Sequence, residues 1–187
     1  MPGIDESRQF VPLKIAVLTV SDTRESTDDK SGAALIERIR AAGHILAERS
    51  IVTDDVEKIR QRVKAWIADK FIDVVITTGG TGFTGRDVTP EAVEPLFEKK
   101  MDGFAMMFLL VSERKIGTSA IQTRATAGVA NATYIFCLPG SPGACKDAWD
   151  EILVHQFDYR YRPCNFVEIL PRLDEHLRRP KAKGATA

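Results

Sequence analysis

The chain lacks the features that mark several large protein classes. Its three cysteines, Cys137, Cys145 and Cys164, form no CxxC pair and leave an odd count, so neither a disulfide framework nor a cysteine metal site is expected. His44, His155 and His176 are scattered without metal-ligand spacing. Neither charge is in excess, since 26 Lys and Arg stand against 26 Asp and Glu, and no basic field points to nucleic acid. No apolar stretch is long enough to span a bilayer, so no membrane partner is expected. Met1 to Gln9 is polar and has no hydrophobic centre of the kind a secretory signal needs, which suits a cytoplasmic protein. What is present, 44% hydrophobic and 28% charged residues over 187 positions, is the composition of one globular domain with a sizeable core.

Apolar runs and amphipathic stretches alternate along the chain. Lys14–Val20 is almost continuously apolar and reads as a central parallel strand ending in Ser21-Asp22. A polar loop, 22–30, leads to a helix opened by Ser31-Gly32, with Leu35, Ile36, Ile39 and Ala42 on one face and Gly43 at its end. A weaker strand centred on Ser50-Ile51-Val52 suits a sheet edge. Asp54 or Asp55 caps the next helix, patterned by Val56, Ile59, Val63, Trp66 and Ile67. Ile72–Ile76 is a third strand. A helix from Pro90 to about Lys99 is stopped or kinked by Pro95. Phe104–Val111 is apolar throughout, so a helix there must be buried on every side. Either it is a central core helix or one side faces another subunit; the second predicts an oligomer. Thr118–Val129 is small and polar and reads as loop with short helical or extended pieces. Thr133–Leu138 is a further strand with Cys137 as a small core residue. Ser141 and Pro142 then open a helix that aligns Cys145, Ala148, Trp149 and Ile152. Residues 1–12 read as a flexible lead-in, a short helix is expected around Leu170 to Leu177, and 178–187 read as a disordered tail.

This alternation predicts an α/β fold with a mostly parallel sheet covered on both faces. In such sheets ligands bind beyond the C-terminal strand ends. Ser21-Asp22, Asp54, the 79–87 loop and the 140–143 loop all follow strands at that edge. The 79–87 loop stands out, because four glycines, Gly79, Gly80, Gly82 and Gly85, lie between the third strand and Thr89-Pro90, read as N-cap and first helical residue. Glycines let a backbone approach a ligand closely. Arg86 is suited to a phosphate and Asp87 to a metal that the phosphate also binds. The plainer reading is a tight turn with solvated charges, but four glycines exceed what a turn needs. Gly80, Gly82 and Gly85 also match G-x-G-x-x-G. A dinucleotide site is nevertheless rejected, since the loop follows the third strand and the helix starts well beyond Gly85. No Gly-Lys-Ser/Thr is present for a Walker loop.

Thr78-Gly79-Gly80-Thr81-Gly82-Phe83 followed by Arg86-Asp87-Val88-Thr89-Pro90-Glu91-Ala92 resembles the molybdopterin-binding family of molybdenum cofactor biosynthesis, which includes molybdopterin adenylyltransferases and the related domain of gephyrin. Val20-Ser21-Asp22, Asp29-Lys30-Ser31-Gly32, Ile51-Val52 with Asp54, and Leu138-Pro139-Gly140-Ser141 match in the same order, across roughly residues 14 to 155. Ile116-Gly117-Thr118-Ser119, Gly128-Val129-Ala130-Asn131 and Arg162-Pro163-Cys164-Asn165-Phe166 are similar to the bacterial protein B branch.

The resemblance implies a three-layer α/β/α fold, a single molybdopterin-binding domain over 13–177, and a trimer or hexamer. It implies transfer of an adenylyl group from Mg-ATP to molybdopterin with release of pyrophosphate, Mg²⁺ being the cofactor. Under it Asp54 and Asp87 are catalytic carboxylates tied to Mg²⁺, and Gly79, Gly80, Thr81 and Gly82 cradle a phosphate. Ser21, Asp22, Arg124, Ser141 and the neighbouring Gly140 line the substrate pocket, with Arg86 nearby. Thr123-Arg124 replaces the Ser-Arg of many members and keeps hydroxyl and cation. Competing readings of single residues are Asp54 as a helix cap, Asp22 as a turn residue, and Arg124 as the partner of a loop carboxylate. The competing function is a carrier that binds molybdopterin without turning it over.

Overall fold

The computed structural model describes residues 2–23 and 28–178. In chain order its elements are β1 (Gly3–Ile4), β2 (Lys14–Val20), α1 (Lys30–Ala41), β3 (Ile45–Val52), α2 (Val56–Ala68), β4 (Val74–Thr78) and α3 (Thr89–Val93). There follow β5 (Lys99–Lys100), α4 (Asp102–Ile116), β6 (Thr126–Ala130), β7 (Thr133–Leu138) and α5 (Pro142–Ala148), which runs through a π turn at Trp149–Leu153 into α6 (Val154–Gln156). The chain closes with β8 (Tyr161–Arg162), α7 (Phe166–Ile169) and α8 (Glu175–Arg178). Among the described residues six strands make one sheet in the order β3-β2-β4-β7-β6-β5. β3, β2, β4 and β7 are parallel, whereas β6 and β5 run antiparallel to their neighbours.

Side-chain alternation along the central strands builds two cores. Ile15, Val17, Val74, Ile76, Tyr134 and Phe136 face one side, where Leu35 and Ile39 of α1, Phe104 and Phe108 of α4, and Cys145 and Trp149 pack on them. Ala16, Leu18, Val75, Ile135 and Cys137 face the other, against Ile59, Val63 and Trp66 of α2 and Ala92 and Val93 of α3. This is the three-layer α/β/α arrangement that the sequence implies. Burial pushes the Cys137 thiol up to about 12, which suits its reading as a core residue. His44 is buried as well. Its Nδ1 accepts from the Leu13 N–H at 3.1 Å, and burial holds its pKa down at about 4, so it is a neutral structural group.

The stretch read as loop with short helical or extended pieces holds both, a 3₁₀ turn at Gly117–Gln122 and the strand β6. Its sequence is small because Phe97 packs over it, and a Cβ on Gly128 would overlap that ring; small residues carry little strand signal. Three local expectations are corrected. α1 opens one residue before Ser31-Gly32, because Asp29 is its N-cap and accepts from the Gly32 N–H at 2.9 Å. The first twelve residues include β1, which pairs with β8, and Arg8, which lies over the Tyr159 ring and pairs with Glu168. α4 is not buried on every side. Phe104, Phe108 and Val111 face the core while Met106, Met107, Leu109 and Leu110 are exposed, so within one chain the central-core reading fails. Of the expected tail, Arg178 ends α8 and 179–187 lie outside the described residues, as do residues 24–27 of the polar loop. Among the described residues no helix is long and apolar enough to cross a membrane.

Asp29 ties β2, α1 and β3 together beside the C-terminal strand edge. Its carboxylate accepts from Thr19 Oγ1 at 2.6 Å, Ser31 Oγ at 3.2 Å and the Arg49 guanidinium at 2.9 Å. Burial acts to raise its pKa, but these hydrogen bonds outweigh burial and hold it below the ordinary 3.8. Replacing Asp29 by Ala should cost about 2–3 kcal/mol in urea unfolding at pH 7, from the lost cap and the unpaired donors. A depressed folded-state pKa contributes stability above the unfolded value that is lost as pH falls through the folded one. The gap between wild type and Asp29→Ala should therefore be constant at neutral pH and narrow below the ordinary carboxylate range.

Candidate functional site

The C-terminal ends of β2, β4 and β7 open onto a cleft of about 550 Å³. The chain leaves β4 through Gly79 (φ +109°) and Gly80 (φ +64°), left-handed conformations that favour glycine. A Cβ on Gly79 would also overlap the Val20 carbonyl oxygen of the neighbouring strand. Thr89 locks this turn: its N–H donates to Gly80 O at 2.9 Å and its hydroxyl to Gly79 O at 2.8 Å. This corrects its reading as an N-cap, since Thr89 is the first residue of α3 and the helix has no side-chain cap. Pro95 ends the helical stretch early, as expected, and only a short 3₁₀ turn follows α3.

Ser21, Asp54, Gly79, Gly80, Thr81, Gly82, Arg86, Asp87, Gly140 and Ser141 all line the cleft, from loops after four different strands. Ser141 caps α5 and accepts from the Ala144 N–H at 3.2 Å, with Pro142 as the first helical residue. The choice between Asp54 and Asp55 is resolved by geometry. Asp55 caps α2, its Oδ1 accepting from the Lys58 N–H at 2.9 Å, and Asp54 turns its carboxylate toward Gly80.

The charged groups of the cleft are interlocked. Asp22 accepts from the Asp54 N–H at 3.1 Å and from Arg86 Nε at 2.8 Å. The hydrogen bond from Arg86, then that from the Asp54 N–H, holds the Asp22 carboxyl below its ordinary value. Asp54 is pushed the other way, by burial first and by the Asp22 charge next, with Arg86 only partly offsetting them. Asp87 Oδ2 accepts from the Thr84 N–H at 2.8 Å and from the Thr84 hydroxyl at 2.6 Å. Burial acts to raise its pKa, but these bonds prevail and keep it low. Asp87 is thus an ionised group held rigidly, while Asp54 carries repulsion that a cation would relieve.

Arg124 departs from its expected place. Its Nε donates to Gly82 O at 2.8 Å, its Nη2 to Asp87 O at 2.9 Å, and its Nη1 pairs with Glu91. It therefore lies behind the glycine loop, bonded to two loop carbonyls and paired with a carboxylate of α3 rather than with one of the loop. Thr123, with extended backbone (φ −118°, ψ 145°), faces the cleft instead, together with Gln122. The alternation of an extended segment, which sends neighbouring side chains to opposite sides, was the signal that separates Thr123 from Arg124. Gln122 carried no signal in the sequence.

The residues from 16 to 159 match the family described as the probable molybdopterin binding domain. Molybdenum cofactor biosynthesis protein B of Escherichia coli (strain K12) is 48% identical over 160 residues, covering 86% of this chain and 94% of that protein. A crystal structure of molybdenum cofactor biosynthesis protein B superposes with a TM-score of 0.76 at 40% identity, covering 79% of this chain and 92% of the other. The tungsten cofactor synthesizing protein MoaB from Pyrococcus furiosus gives a TM-score of 0.70 at 36% identity, covering 78% and 93%. With its cleft built at the same strand edge that the motifs occupy, and with likeness running through nearly the whole length of these relatives, the chain belongs to the molybdopterin-binding domain family.

Proposed function

We propose that the chain acts in molybdenum cofactor biosynthesis, adenylylating molybdopterin with Mg-ATP and releasing pyrophosphate. The observation that carries this reading is the release of Asp54 from capping duty. Asp55 fills the cap, so Asp54 joins Asp87 in the cleft beside the glycine backbone. A protein that only carried molybdopterin would have no need of two carboxylates around a phosphate loop.

The donor set fits Mg²⁺, which takes hard oxygen ligands and is held by one or two carboxylates with water and substrate phosphate completing the shell. Among the described residues no three acidic, His or Cys side chains converge as a ready-made cage, in keeping with that mode of binding. Asp54 and Asp87 are the residues to hold the ion, which when bound supplies positive charge to the triphosphate and to the leaving pyrophosphate. In the transfer, a phosphate oxygen of molybdopterin attacks the α-phosphorus of ATP. A new P–O bond forms as the bond to the bridging β-phosphate oxygen breaks. The loop from Gly79 to Gly82 brings main chain rather than side chains against the phosphates, and the Ser21 and Ser141 loops form the flanking walls. Arg86, two-thirds exposed and paired with Asp22, sits where an entering phosphate competes for its guanidinium.

The chain also works as a homo-oligomer in this reading, a trimer or hexamer. The outward face of α4 presents Met106 (66% exposed), Met107, Leu109 and Leu110, continued by Ile116 and Ile121. A contiguous apolar face of that kind marks an interaction surface.

Purified molybdopterin incubated with ATP and Mg²⁺ should yield adenylylated product with wild type. Asp87→Asn and Asp54→Asn should each lose about 10³-fold in turnover while retaining molybdopterin affinity within about three-fold. Tight binding without product from wild type would leave the carrier. Separately, Leu110→Glu should convert the assembly to monomers in sedimentation, through burial of a charge in an apolar interface, with far-UV circular dichroism unchanged.

A further inference from the structure

We infer that Arg124 is a positioning residue, one that shapes the glycine loop from behind and never touches the ligand; its effect on turnover rests on the adenylyl-transfer reading, its effect on loop order does not. Three donors of one planar guanidinium fasten three separate points: Gly82 O near the start of the loop, Asp87 O at its end, and the Glu91 carboxylate in α3. A fourth tie comes from the main chain, where the Arg124 N–H donates to Thr81 O at 2.8 Å. These bonds span a segment whose own internal ties centre on Thr84 and the Asp87 carboxylate.

The consequence follows from peptide geometry. In a trans peptide the N–H points opposite to the C=O. Drawing the Thr81 carbonyl back toward residue 124 turns the Gly82 N–H forward, and that N–H is one of the groups that stabilise the Asp87 carboxylate. That main-chain tie is open to any residue at 124; the guanidinium adds the bonds to Gly82 O and Asp87 O that hold the loop on either side of the Asp87 side chain. The pairing with Glu91 also satisfies the guanidinium charge. Arg124 and Glu91 line a different hollow, about 470 Å³, bounded by Pro90, Lys100 and Thr126, whereas neither lines the cleft. α3, to which the clamp is anchored, is held in turn by Arg60 of α2, which donates to Glu91 O at 3.1 Å and Ala92 O at 3.2 Å. Only a planar fork reaches two carbonyls and a carboxylate together; a lysine ammonium on a flexible stem supplies the charge without the geometry.

The test is amide hydrogen exchange on the full unliganded chain, read beside adenylylation kinetics, for wild type, Arg124→Gln, Arg124→Lys and Glu91→Gln. In Arg124→Gln the amides of 80–88 should exchange about ten-fold faster while those of α1, α2 and β7 stay unchanged. kcat should fall about a hundred-fold with the molybdopterin KM within about three-fold. Arg124→Lys should remain defective in both readouts, and Glu91→Gln, which alters nothing in the cleft, should move both in the same direction by a smaller factor. Unchanged loop exchange in Arg124→Gln with a raised KM, restored by lysine, would make Arg124 a substrate-binding residue and overturn the inference. Should Arg124→Gln fail to fold, Glu91→Gln decides: unaltered exchange at 80–88 overturns it. If wild type transfers no adenylyl group, the exchange arm still decides on Arg124 and only the activity reading falls.

Discussion

At Gly79 the ends of three parallel strands meet too closely for any side chain. The Gly79 N–H donates to Leu138 O of β7 at 3.0 Å, while a Cβ would overlap the Val20 carbonyl of β2. The loop after β4 must therefore start between the ends of its two neighbours, with Ser21 on one side and Pro139 to Ser141 on the other. Thr89 then ties both glycine carbonyls to the first turn of α3, so the loop returns to the point where it left. A cleft walled by three loops results from this one close approach. Asp54 enters from the end of β3, the edge strand beyond β2.

The charges in the cleft are held at some cost to the fold, since burial and the Asp22 charge both disfavour ionised Asp54. Asp22 and Asp87 both act on Asp54, and Arg86, paired with Asp22, offsets only part of the repulsion. Perturbation by burial together with a like charge, in a cleft, is what distinguishes a working group from a surface carboxylate. The contrast with Asp29 is instructive. That residue is also buried, yet every donor around it favours its ionised form, and it braces α1, β2 and β3. What surrounds each acid thus separates Asp54, destabilised in the cleft, from Asp29, satisfied as a structural brace.

Much of the architecture was legible because parallel strands buried on both faces are apolar throughout. β2 and β7 coincide with runs that read as strands, β4 overlaps its run but extends two residues beyond it to Thr78, and the Ser141-Pro142 helix start was found where expected. What was illegible has a common cause. β6 is small because an aromatic ring from elsewhere occupies its surface. Asp29 looked like part of a polar loop, since its partner Arg49 lies on a different element. Arg124 looked like a pocket cation because its position among the motifs says nothing about the side on which it emerges.

From the sequence alone come the alternation of strands and helices, the two-faced sheet, the strand edge at which the cleft lies and the family to which the chain belongs. These are properties of local patterns: hydrophobic period, turn chemistry and the order of short motifs. Tertiary structure decided which of Asp54 and Asp55 caps α2, which side of the glycine loop Arg124 takes, and which face of α4 is left apolar and exposed. Each depends on groups distant in the chain, so the sequence offers the candidates and only the packing of β2, β4 and β7 selects among them.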